Sequence, residues 1–197
     1  MLLQLLAALL LLLAPAGRGA AAAGAEAGQF VYNGFAAANL TLDGQATVTP
    51  NGLLMLTNGT LQTKGHAFHP SPMPFRDPTA GGRNATAARS FSTTFAFAIY
   101  GQYAEFSTHG IAFFVAADKA VLSAALPSQF LGLLNDADDG NRSNHVFAVE
   151  LDTLMNTEFD DISSNHVGVD VDSLRSIDAA DAGVKNGGGK RRRNTIN

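Results

Sequence analysis

Apolar and polar residues alternate with a period of two along much of this chain, the pattern of strands that turn one face inward and one outward. The runs FVYNGF (30–35), NLTLDG (39–44), ATVTPNG (46–52) and LLMLTN (53–58) are separated by Asn-Gly and Asp-Gly pairs, which supply the positive φ angles of tight turns. They predict short antiparallel strands. The segment HAFHPSPMPFRDP (66–78) carries too many prolines for a helix or a central strand and predicts a long connection. From Ser90, SFSTTFAFAIY sets Phe91, Thr93, Phe95 and Phe97 on one face and predicts a buried strand. GIAFFVA (110–116) is almost continuously apolar, as expected of a strand covered on both faces. The stretch VELDTLMNTEFDDISSNHVGVDVDS (149–173) places a polar loop between two strand-like runs. Strand alternation there puts Glu150 and Asp152 on one side and sends Val149 and Leu151 into the core.

That last stretch also concentrates chemistry. Twelve of the seventeen Asp and Glu residues lie between Asp136 and Asp181, where only Arg142 and Arg175 are basic. Acids on a solvated loop would account for the numbers alone. Carboxylates beside the amide of Asn156 suit Ca²⁺, and carboxylates with the imidazole of His166 suit Mn²⁺ or a similar ion. Packing such acids together without a cation is costly. The run Asp136-Ala-Asp138-Asp139-Gly140 is similar to a calcium loop only briefly, because Gly140 and Phe147 stand where oxygen ligands belong. It reads as a solvated turn.

The order Glu150-x-Asp152-x-Leu154-x-Asn156, then Asp161, His166 and GVDVDS, resembles the metal-binding signature of legume-type lectins. FVYNGF, NLTLDGQATVTPNGLLMLTNGT and KGHAFHPSPMPF resemble the opening of the lectin domain of plant L-type lectin receptor kinases. The resemblance spans about Gln29 to Val184 and implies an all-β, concanavalin A-like sandwich (jelly roll), incomplete at its C-terminal end. It implies that Glu150, Asp152, Asp161 and His166 hold a transition metal, usually Mn²⁺. By the same resemblance Asp152, Asn156, Asp161 and the Leu154 carbonyl hold Ca²⁺. Asp160 and Asp161 both fit the second bridging acid; the single Asp before Ile usual in the receptor-kinase branch favours Asp161. Sugar contacts implied by the family fall at His109, Gln129 and Asn156. Soluble members carry an Asp where His109 stands, and a carboxylate accepts several hydrogen bonds where neutral imidazole offers one acceptor and one donor. Binding of simple sugars is therefore expected to be weak, leaving a glycan or an apolar small ligand as partner and a homodimer as an open alternative.

Composition refines this frame. At 197 residues and 46% hydrophobic content the chain has material for one domain with a core, and its net charge of −4 gives no sign of nucleic acid. There is no cysteine, so burial and metals must replace disulfides. Residues 1–23 read as a signal peptide, with an apolar run shorter than a membrane span. Four sequons, at Asn39, Asn58, Asn84 and Asn141, point to a secreted glycoprotein, at the cell surface if part of a full-length receptor. The expected organisation is leader 1–23, lectin domain 28–184, and a basic, Gly-rich flexible tail 185–197 whose NTIN end could open a further strand. No phosphate loop, VAIK or HRD motif is present, so the chain is not itself a kinase. Glu150-x-Asp152 also begins the Glu-x-Asp-x-x-Glu strand of glycoside hydrolases on the same fold, but Met155 takes the third position and removes the second carboxyl a retaining mechanism needs.

Overall fold

The computed structural model describes residues 28–75, 89–100, 109–185 and 191–192. The leader, the Asn84 sequon and the loop 101–107 lie outside the described residues. What is described consists of strands and short 3-10 turns, gathered into two compact units.

The first unit takes Met1–Leu40, Val48–Leu54 and His69–Ser90. Its aromatic centre is Phe30 stacked on His69 at 4.2 Å, with Tyr32 5.4 Å from Phe30. FVYNGF, expected as a strand, is instead a run of bends. The Phe35 N–H donates to the Gly52 carbonyl at 2.8 Å, so a turn rather than a ladder satisfies this backbone. Strands β2 (Thr47–Val48) and β3 (Leu54–Met55) form a hairpin around Asn51-Gly52, where Gly52 has φ 84°.

The second unit takes Thr41–Thr47, Met55–Phe68 and Phe91–Asn197. In it β1 (Thr41–Gly44) pairs antiparallel with β4 (Gly65–Phe68). The main sheet is an antiparallel meander of β5 (Gly110–Ala116), β6 (Val146–Asp152), β7 (His166–Val171) and β8 (Asp178–Asp181), in that spatial order. Its register sets Glu150 opposite both Ala112 and Gly168, and Asp152 opposite both Gly110 and His166.

The burial of this sheet reverses an expectation. Along β6 the buried residues are Val146, Ala148, Glu150 and Asp152, whereas Phe147, Val149 and Leu151 are partly exposed. Alternation is present, but the acid-bearing face is the covered one. Phe130, Leu133, Leu134 and Leu174 cover its hydrophobic half, packing on Ala148 with Ala112, Phe114 and Phe159 beside them. The loop through residues 130–134 thus supplies much of the core. β5 is partly exposed along its whole length and not covered on both faces, because only its Ala112–Phe114 side meets that loop.

SFSTTFAFAIY forms no strand. Phe91 and Phe95 are 50% and 46% exposed and rest 6.0 and 6.2 Å from the Phe113 ring, across the open face of the sheet. Alternation produces a sided segment, but a strand also needs a ladder, and no strand is assigned to residues 91–100. Beyond the main sheet β9 (Val184–Lys185) pairs antiparallel with β10 (Arg191–Arg192).

Candidate metal centre and ligand loop

The acidic face of β6 ends in a cluster assembled from three places. Glu150 and Asp152 come from β6, His166 opens β7, and Asp161 is delivered by the loop between them. The loop turns through a 3-10 segment at Thr157–Phe159 and closes at Asp160 with φ 64°, which points consecutive acids in different directions. Asp160 goes outward to an ion pair with Arg175. Asp161 goes inward, where its Oδ2 accepts the Asn156 N–H at 2.6 Å and its Oδ1 lies 3.8 Å from His166 Nε2. Glu150, Asp161 and His166 bring ligand atoms within 4.8 Å of one another.

His166 is held in one orientation. Its Nδ1 donates to the Ser163 carbonyl at 2.8 Å, which leaves Nε2 facing Glu150 Oε1 at 3.1 Å. A backbone carbonyl behind Nδ1 is the usual way of aiming Nε2 at a metal. The Glu150 hydrogen bond pushes the imidazole pKa up to about 9, against the opposing effect of burial, and so favours an imidazolium beside the acids. One positive charge does not balance the site. Burial pushes Asp152 up to about 7 and raises Asp161 as well, the response of carboxyls kept from water without enough countercharge.

Two features fit cations of the kind the resemblance implies. The Asn156 Oδ1 is buried and has no hydrogen-bond partner, an amide oxygen of the type that binds Ca²⁺. Gly168 leaves room for the Glu150 carboxylate, since a Cβ there would lie 2.3 Å from Glu150 Oε1 and 2.0 Å from Ser176 Oγ. Asp152 Oδ1 accepts the Leu154 N–H at 2.6 Å, which fixes the chain direction at Leu154.

Sequence reasoning passed over Asp170 and Ser176. The Ser176 hydroxyl lies 2.8 Å from both Glu150 Oε1 and Asp170 Oδ1, and it has one proton for two acceptors. Asp170 is 2% exposed, its Oδ2 has no partner, and burial pushes its pKa up to about 7. The signal was available: on β7, Asp170 follows His166 and Gly168 at strand period and shares their face.

Of the residues expected to meet a sugar, Asn156 belongs to the Asp161 loop, whereas His109 and Gln129 come from other segments of the same unit. His109 precedes β5 with φ 57°, and its carbonyl accepts the Thr153 N–H at 2.8 Å, tying it to the residue after Asp152. Its Nδ1 is buried without a partner, and burial lowers its pKa, so the ring is an uncharged group. Gln129 sits partly exposed in the 3-10 turn Ser128–Phe130, flanked by left-handed Ser128 (φ 63°) and Leu131 (φ 50°). Of the sequon asparagines, Asn39, Asn58 and Asn141 are exposed. Asn58 Oδ1 accepts the Thr60 N–H at 3.1 Å and Asn141 Oδ1 the Ser143 N–H at 3.0 Å, both local turns.

Fold and site together define an all-β sandwich with a buried acidic cluster where two neighbouring strands meet a polar loop. The legume lectin domain matches residues 27–196, and the chain belongs to that family. It is 56% identical over 160 residues to the L-type lectin-domain containing receptor kinase SIT2 of Oryza sativa subsp. japonica, a match covering 81% of this chain and 23% of that protein. To L-type lectin-domain containing receptor kinase IV.1 of Arabidopsis thaliana it is 52% identical over 156 residues, with 78% and 22% covered. The chain spans about a quarter of the length of these relatives, which it matches through their lectin region. Among solved structures it resembles winged bean acidic lectin complexed with methyl-α-D-galactose, at 25% identity and TM-score 0.54 over 78% of this chain and 62% of that one. Lotus tetragonolobus seed lectin gives 24% identity and TM-score 0.53, over 73% and 60%. The fold is therefore the concanavalin A-like one. Among the described residues no helix is long and apolar enough to cross a membrane.

Proposed function

We propose that this chain is a carbohydrate-binding domain of extracellular or cell-surface type, stabilised by Ca²⁺ and a transition metal such as Mn²⁺. The observation that carries the reading is the buried site itself: Glu150, Asp152 and Asp170 are each no more than 3% exposed, and a single imidazole opposes them and Asp161. Glu150, Asp152, Asp161 and His166 would hold the transition metal. Asp152, Asp161, the Asn156 side chain and the Leu154 carbonyl would hold Ca²⁺. The ions supply positive charge that lets the carboxylates stay ionised in a dry site. Their ligands come from β6, β7 and the intervening loop, so binding would fix the loop that presents Asn156 for a sugar. The relatives named as receptor kinases support a cell-surface setting, and the exposed Asn39, Asn58 and Asn141 support glycosylation after secretion.

A second reading, a receptor domain for a ligand other than a sugar, is favoured by His109. Its uncharged ring stands where the resemblance calls for an acid, and each bond to a charged group contributes roughly 1.5–3 kcal/mol. Simple-sugar affinity is then expected to fall roughly ten- to a hundredfold. Calorimetric titration with methyl-α-D-galactoside and mannose, with both ions present, tests this; micromolar binding of either would overturn the weak-sugar expectation. His109→Asp should strengthen binding, and a glycan array showing oligosaccharide binding would favour the first reading over the second.

A further inference from the structure

Across β5, β6 and β7 the open face of the main sheet is a grid of apolar side chains. The register places Ile111, Leu151 and Val167 in one row, Phe113, Val149 and Val169 in the next, and Val115, Phe147 and Val171 in a third. All nine are at least partly exposed. The segment from Phe91 lies against this grid. The Phe91 ring stands 6.0 Å from Phe113 and, edge-on, 6.3 Å from Phe147, and Phe95 stands 6.2 Å from Phe113. Thr93, Thr94, Phe95 and Phe97 border the cleft that opens over Phe113, Val149 and Leu151.

This segment has the side chains of a strand and lacks its ladder. FSTTFAFAI (91–99) is rich in Phe, Thr and Ile, which suit a pleated, half-buried surface. Yet residues 92–100 make no backbone hydrogen bond to another described residue. Ser92, Thr94, Ala96 and Ala98 are exposed, whereas Phe97 and Ile99 on the other side are partly buried. Such a segment offers a row of N–H and C=O groups as a template for a strand of another molecule. Its own copy fits that template. In an antiparallel pair centred on Phe95, Phe91 meets Ile99, Thr93 meets Phe97, and Phe95 meets Phe95 at the two-fold axis. Aromatic rings then oppose rings or β-branched residues, the favourable cross-strand pairs, while small Ser92, Thr94, Ala96 and Ala98 pair on the outer side. Between Ser90 and Tyr100 there is no charge to repel a second copy. A nine-residue ribbon is about 30 Å long. With phenylalanines of about 150–250 Å² each, such a strip reaches the low end of specific interfaces, that of a concentration-dependent dimer.

We propose that residues 91–99 are a dimerisation strand, which pairs antiparallel with the same residues of a second copy about Phe95 while each copy's strand rests on its own sheet. Such a two-fold interface presents the same residues from both sides. It stands apart from the sugar and metal readings. Sedimentation equilibrium of the full chain, at about 0.15 M salt to screen repulsion between net charges of −4, should show a monomer–dimer equilibrium. The transition should fall between about 1 and 100 μM. Thr93→Pro and Thr94→Pro remove N–H groups from opposite edges of the segment, so the one on the paired edge should weaken the dimer at least about tenfold and the other far less. Phe95→Lys and Phe95→Glu each set like charges face to face at the axis and should be monomeric alone, and an equimolar mixture of the two should recover the dimer. Because residues 92–100 contribute no backbone hydrogen bond to the sheet, melting of the dilute variants should match the dilute native chain, which separates lost pairing from unfolding. A native chain monomeric at every concentration would overturn the proposal and leave the segment to a strand of another protein. A dimer that survives both prolines, or charge variants that stay monomeric when mixed, would overturn it as well.

Discussion

The two faces of the β5–β8 sheet invert the ordinary relation between polarity and burial. One face carries Glu150, Asp152, His166 and Asp170, all buried, beneath loops that also deliver Asp161. The other carries Phe113, Phe147, Val149, Leu151, Val167 and Val169, all partly exposed, and the exposed Val171. A cleft of about 300 Å³ lined by Phe95, Phe97, Phe113, Val149 and Leu151 opens on that apolar side. The difference shows that this sheet is not organised by hydrophobic burial alone. A group of acids is kept dry only where something opposes their charge, so the buried face is the one whose stability should depend on ions, and the apolar face should not respond to them.

Four substitutions sharpen the contrast. Asp152→Asn removes a carboxylate proposed to bridge both ions. With Ca²⁺ and Mn²⁺ each at about thirty times its dissociation constant, the two bound ions together contribute about 4 kcal/mol, and the variant should lose most of that in urea unfolding. In excess chelator the same variant should be as stable as the native chain or more so, because a buried charge has gone. An equal loss in both conditions would show that Asp152 acts by packing alone.

Gly168→Ala and Val169→Ala alter adjacent residues on opposite faces. A methyl on Gly168 must displace Glu150 or Ser176, and the variant should lose about 2 kcal/mol together with metal affinity. Val169→Ala removes partly exposed apolar surface and should cost about 1 kcal/mol with metal affinity unchanged. Metal titration of the two proteins tells them apart, and equal affinities would remove the distinction between the faces. Smaller still, Val171→Thr at a 43% exposed site should shift stability by no more than about 0.5 kcal/mol.

A fourth test lies off this sheet and has a definite sign. Asp43 has a depressed pKa, so its pairing with His66 contributes stability above the ordinary carboxylate range and loses it as pH falls through the depressed value. Its side chain is 54% exposed, so after solvent screening the contribution stays below about 0.5 kcal/mol. Melting curves of Asp43→Asn and native chain should therefore converge as the pH drops below about 4. Curves that stay parallel would deny the pair any role.

Much of the main sheet was legible in the sequence, and for a physical reason. VFAVELD and HVGVDV alternate strictly, and each strand has the other as neighbour, so local pattern and ladder agree. FVYNGF and SFSTTFAFAIY alternate as well, yet one is satisfied by a turn at Gly52 and the other lies across Phe113 without joining the sheet. Alternation reports a sided segment and says nothing about whether a neighbour exists. The same limit applies at the site. Spacing along one strand identified Glu150 and Asp152, and the residues around His166 and Asp161 could be read from order along the loop. Which face would be buried depended on Phe130, Leu133, Leu134 and Leu174, contributed by distant loops. Asp170 and Ser176 reach Glu150 only through the β6–β7 register and the turn after β7, which no short window of sequence contains.

The central claim, that the polar face is built around cations, is tested most directly by thermal melting of the purified chain with Ca²⁺ and Mn²⁺, after excess chelator, and after adding the ions back. A difference of about 4 kcal/mol in a chain of this size corresponds to a drop of roughly 10 °C on chelation, reversed on re-addition. A melting temperature unchanged by chelator, in protein shown by elemental analysis to have been stripped of metal, would contradict it.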